Sequence, residues 1–147
     1  MSVWTHIDGI IRIDGLPSEE GLNKIKDIFG PMALVSSEKM TNEDWNKYKE
    51  NYKNTKLPKG SEGSIQYKII EYDTGFPYLA IPIWGDLRDY GKEKIGEIEE
   101  WINFIVEQIN LTFYIIRSLI ILVNTENCEN NMIFVIDDNN KIIKVNT

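Results

Sequence analysis

The stretch Trp84-Gly-Asp-Leu-Arg-Asp-Tyr-Gly91 sets two carboxylates, a guanidinium and a phenol between two glycines, directly after the apolar run LAIPI. Arg88, held by Asp86 or Asp89 just before a helix, is suited to meet an anion, because a guanidinium grips phosphate or carboxylate through two N–H donors and a helix N-terminus adds its dipole. The structural alternative is that the aspartates cap the helix or merely fix Arg88. A second stretch, Gly60-Ser-Glu-Gly-Ser64, has glycines that let successive backbone N–H groups turn toward one point and serines that add donors, as in an anion cradle. Glu62 opposes an anion unless it accepts from a ribose or base. The pattern is not a P-loop, and a plain turn before a strand is the other reading.

A third group lies on one strand. Val3 to Ile13 alternates, so Trp4, His6, Asp8 and Arg12 share a face, and Gln66, Lys68, Tyr72, Trp84 and Arg117 can join it from neighbouring strands. Flat rings beside cations suit a planar, anionic ligand. The candidate ligand-binding set is therefore Trp4, His6, Arg12, Gly60, Ser61, Glu62, Gly63, Ser64, Trp84, Asp86, Arg88 and Tyr90. Against it stands a reading in which this face is covered by the C-terminal hairpin or a second subunit and the tryptophans are ordinary core.

Composition narrows the chemistry further. Cys128 and His6 are each single in the chain, which leaves no material for a zinc cluster or a Cys-His pair, and a Ser-His-Asp site would have to use His6. No catalytic residue, metal or cofactor is expected, although Glu62, Asp86 and Asp89 could serve a small magnesium-dependent hydrolase. A net charge of -7 disfavours nucleic-acid binding, while Trp45 to Gly60 gathers five lysines against one glutamate. There is no membrane-length apolar run and no signal-peptide pattern at the start, so a reducing cytoplasm is expected and the Asn110-Leu-Thr112 sequon is read as incidental.

These residues need elements to position them, and 147 residues are enough for one domain with its own core. Strand periodicity over 3–13 is followed by Ser18 as a helix cap and an apolar face of Leu22, Ile25, Ile28 and Phe29, ended by Gly30-Pro31. Residues 32–60 read as a lysine-rich insertion with a short helix starting at Thr41. Strands are expected over 64–72 and 78–84, where Pro82 requires an edge or a bulge. Lys92 to Asn110 carries an apolar stripe every three or four residues and predicts a long amphipathic helix. A buried strand over 114–123 and a hairpin of 132–136 with 142–145 complete the chain. The order predicts an α+β fold, a ferredoxin-like βαββαβ sandwich with an inserted lysine-rich helical segment and an extra C-terminal β-hairpin.

The segments Met1-Ser-Val-Trp-Thr-His6, Gly9-Ile-Ile-Arg12, Pro58-Lys-Gly-Ser-Glu-Gly-Ser64 and Gly85-Asp-Leu-Arg-Asp-Tyr90 together resemble a group of small accessory proteins encoded by bacteriophages, over about residues 1–105. The resemblance implies a stoichiometric agent against bacterial defence. Joined to the rings and arginines, it predicts a non-enzymatic protein that sequesters a nucleotide-type immune signal in the host cytoplasm. The rival expectation is an anti-CRISPR-like inhibitor that binds a defence effector directly, presenting acidic surface as a nucleic-acid mimic. An exposed sheet face further predicts a homodimer.

Overall fold

The computed structural model describes residues 2–32, 41–73, 75–128 and 131–146. Its centre is β1 (Trp4–Asp14), whose alternation buries Thr5, Ile7, Ile11 and Ile13 and turns the intervening side chains outward. After it comes α1 (Glu19–Phe29), capped by Ser18 accepting from the Gly21 N–H and closed by Gly30 at φ 76, a conformation that favours glycine. In the insertion, α2 (Asn42–Asn54) opens on a reciprocal Thr41–Asp44 capping box and buries no residue. The insertion's residues 33–40 lie outside the described ones.

The strand expected over 64–72 is two pieces, β2 (Gln66–Tyr67) and β3 (Ile70–Tyr72), both paired with β4 (Tyr78–Arg88). Pro82 explains the break. The Lys68 N–H donates to the Pro82 carbonyl at 3.2 Å, so the N–H that proline lacks would have pointed to the same side, and regular pairing stops there. On its other side β4 pairs with β1 without interruption, Pro82 opposite Ile10.

A 3-10 turn (Lys92–Lys94) leads into α3 (Ile95–Asn110), followed by β5 (Ile115–Thr125), β6 (Met132–Ile136) and β7 (Ile142–Asn146). All seven strands form one antiparallel sheet in the order β2-β4-β1-β5-β6-β7, with β3 also on β4. The fold is thus α+β. The C-terminal hairpin extends the sheet beyond β5 instead of covering its face, which corrects one of the two ways that face was expected to be hidden.

Helices α1 and α3 lie on one side. Ile25 and Phe29 of α1 and Ile98, Trp101, Ile102, Ile105 and Ile109 of α3 join Ile7, Ile11, Ile81, Ile83, Leu119, Ile121 and Phe134 of the sheet in a single core. Gly9 sits where a Cβ would meet the Ile120 carbonyl oxygen at 2.6 Å, so glycine lets β5 close on β1. Among the described residues, no helix is long and apolar enough to cross a membrane. Truncating Ile11→Ala in this fully buried layer is expected to cost about 2–5 kcal/mol, whereas Trp45→Ala on α2 should stay within about 0.5 kcal/mol, both read from urea unfolding.

Candidate functional site

The side of the sheet away from the helices is open, and its residues fall into three zones along the strands. At the Trp4 end, His6 stands opposite Asp86 of β4 and Asn124 of β5. Its Nδ1 lies 2.6 Å from Asp86 Oδ1 and its Nε2 3.2 Å from Glu126 Oε1, so one imidazole ties β4 to the end of β5. The hydrogen bond to Asp86 raises the His6 pKa above its ordinary value, outweighing the opposing effect of burial, with Glu126 adding to the rise. Beside it, Trp4 faces Arg88 across the β1–β4 ladder. Arg88 donates to Glu62 Oε2 at 3.1 Å and to Ser2 Oγ at 3.0 Å.

The Gly60–Ser64 loop is stitched onto this end of β4. The Gly60 N–H donates to the Gly63 carbonyl, the Ser61 N–H to the Arg88 carbonyl, and the Arg88 N–H to the Glu62 carbonyl, each at 2.9 Å. Gly60 and Gly63 are needed because a Cβ at either would collide with the backbone of Arg88 or Asp86. The N–H groups of Gly60 and Ser61, which an anion cradle would use, are therefore spent on protein carbonyls. Ser64 is buried with its Oγ unpartnered, and Ser61 Oγ donates to Asp89.

The Trp84–Gly91 stretch is for the most part strand. β4 continues through Arg88, Asp86 and Arg88 point to the open side while Leu87 is buried, and Asp89 turns the chain at φ 54. Tyr90 is fully buried, its carbonyl accepting from the Thr5 hydroxyl and its own hydroxyl donating to Glu97 Oε2 at 2.9 Å. Burial and Glu97 push the Tyr90 pKa far up. Tyr90 is thus a core residue, out of reach of a ligand on the open face.

The middle zone is apolar. Ile10, Trp84, Ile120, Leu122, Ile143 and Val145 are each 41–48% exposed, and Pro82, Ile133 and Val135 lie between them in register. The far zone is cationic: Arg12 Nε and Arg117 Nε donate to the two oxygens of the buried Asp14 carboxylate, at 3.0 and 2.6 Å. Burial alone would raise the Asp14 pKa, but the two guanidinium bonds outweigh it and hold it below the ordinary carboxylate range. Arg12 also lies 4.0 Å from the centre of the Tyr78 ring, which stacks on Tyr72.

The expected convergence of Trp4, Trp84, Arg12 and Arg88 is therefore only partial. Trp4 and Arg88 are cross-strand neighbours and Trp84 is opposite Asp8, but Arg12 is eight residues along β1 from Trp4, roughly 26 Å at strand rise. Glu62, Asp86 and Asp89 gather near one end of β4, each bonded to a different protein group, and the described residues contain no group of three or more His, Cys, Asp or Glu able to hold a metal ion.

Two features escaped sequence reasoning. A cleft of about 610 Å³ beside the end of α1 is lined by Lys26, Met32, Lys56, Tyr67 and Lys68, residues scattered along the sequence. The outer face of α3 carries Glu97, Glu100 and Glu107 around the exposed ring of Phe104, continued by Glu93 in the preceding turn. The acidic stripe follows the same helical period as the apolar one, on the opposite face of α3. No protein family, curated protein or solved structure matches the chain.

His6 yields a pH prediction. Its folded pKa is raised, so its stabilisation is complete below the unfolded value near 6.5 and is lost as pH rises through the folded value. The side chain is partly exposed, which limits the effect to under about 1 kcal/mol. Melting temperatures followed from pH 5.5 to 8.5 should fall more for the wild type than for His6→Gln.

Proposed function

We propose that the protein is a non-enzymatic inhibitor that binds a basic protein surface through the acidic outer face of α3, in the setting its motifs suggest: a phage-encoded agent against a bacterial defence effector that handles nucleic acid. The observation that carries this reading is the row of Glu93, Glu97, Glu100 and Glu107, all exposed and none in an ion pair with a described residue. At helical rise the row is roughly 21 Å long, the axial length of about six nucleotides of one strand.

Such a row is costly to the helix. The like-charge pairs Glu93–Glu97 and Glu97–Glu100 each cost about 0.2–0.5 kcal/mol, offset in part by the favourable dipole at the first turn, and α3 has no basic residue in its last turn to offset Glu107 near the negative end of the dipole. The strand order β2/β3-β4-β1-β5, with α1 and α3 on one face, supports reading the scaffold as a ferredoxin-like core enlarged by β6 and β7.

The combined variant Glu93→Lys, Glu100→Lys, Glu107→Lys should melt slightly higher than wild type. It should also lose at least about tenfold in capture of a purified nucleic-acid-guided effector, with the wild-type capture weakening steeply as salt rises. Full capture by the triple variant would remove the proposal.

The nucleotide-sequestration reading draws support from the narrower pairing of Trp4 with Arg88, with Ser2 and Ser61 beside it. Calorimetry against mono-, di- and cyclic nucleotides should then give binding heat that Trp4→Ala abolishes, and a folded sample without heat disposes of this second reading.

A further inference from the structure

We propose that a second copy of this chain packs on the open face of the sheet, head to tail about a twofold axis that lies across the strands. The first argument is area. Six apolar side chains left 41–48% bare amount to roughly 500 Å² of apolar surface, near the upper end of the largest patch a typical monomer shows. With the polar zones at both ends, the face approaches the ~800 Å² per partner of a standard interface.

The second argument is register. Four strands each present two successive apolar side chains to the open side: Pro82 and Trp84 on β4, Ile120 and Leu122 on β5, with equivalent pairs on β6 and β7. A twofold axis running across the strands between these two rows keeps each strand over its own copy and exchanges the rows. Trp84 then meets Pro82 of the second copy, and Leu122 meets Ile120 of the second copy. On β1 the same exchange sets Asp8 against Ile10 of the second copy, one residue pair from that copy's Arg12, a reach an arginine spans.

The third argument is charge, and it fixes the direction of the axis. Asp8, Glu62, Asp86, Asp89 and Glu126 outnumber Arg88 and His6 toward the Trp4 end, whereas Arg12 and Arg117 outnumber the single carboxylate of Asp14 at the other. An axis along the strands would set acid over acid. The head-to-tail axis sets the His6–Asp86 end of each copy over the Arg12 end of the other. Association of this kind leaves the acidic faces of α3 on opposite outer surfaces, so it is independent of the inhibitor reading above.

Light scattering and sedimentation from about 1 to 200 μM should give a mass twice the 17.1 kDa of the chain. Ile120→Asp, on the open side of β5, should weaken dimerisation at least about a hundredfold while leaving the circular dichroism spectrum unchanged. Arg12→Asp and Asp86→Arg should each weaken it about tenfold, and the double variant should recover most of the loss. A monomeric wild type at the highest concentration, or a dimer indifferent to Ile120→Asp, as pairing through the β7 edge would give, overturns the proposal. Charge-swapped singles that weaken the dimer without recovery in the double variant overturn the head-to-tail axis.

Discussion

Everything in the molecule is referred to β1, which is paired with β4 along one edge and with β5 along the other for nearly its whole length. A slip of one residue on either side would carry Ile7, Ile11 and Ile13 out to water and bring Trp4, His6 and Arg12 beneath the helices. Charge clasps secure the register at both ends. His6 joins Asp86 to Glu126, and Asp14 joins Arg12 to Arg117 just past a bulge between Arg12 and Ile13. Between the clasps, Gly9 permits the closest approach of β5.

The two outward surfaces differ in kind. The helical side meets solvent with carboxylates on α3, while the sheet side presents an apolar waist between an acidic and a cationic end. Such a division suits one surface that meets a charged macromolecule and another that meets a flat apolar one.

Much of this was legible in the sequence. Alternation in β1, the Ser18 cap and the apolar stripe of α3 each reflect a local rule that tertiary packing had no reason to override. Pro82 by itself calls for an edge or a bulge, and the solution, a gap in the neighbouring strand, depends on which side the missing N–H faces, a fact of pairing and not of composition. The site was less legible for a related reason. Face membership follows from parity, so Trp4, His6 and Arg12 share one side of β1, whereas Asp86 and Arg88, expected in a turn after a strand ending at Trp84, join that side because β4 runs on to Arg88; distance along the strand follows from register with partners far away in sequence. That is why Arg12 proved remote from Arg88. The glycines of the 60–64 loop looked like ligand-binding residues because a close approach to a phosphate and a close approach to another strand make the same demand on the backbone.

The break opposite Pro82 bears on how the protein behaves when crowded. One border of the sheet consists of β2 and β3, two and three residues long, a template too short for an incoming strand, whereas β7 at the other border runs unbroken from Ile142 to Asn146. Filament growth through sheet borders requires a competent border on both flanks of every subunit. With one flank interrupted, any such joining terminates after a single step, so the proline that spoils a ladder also acts as a barrier to fibre formation.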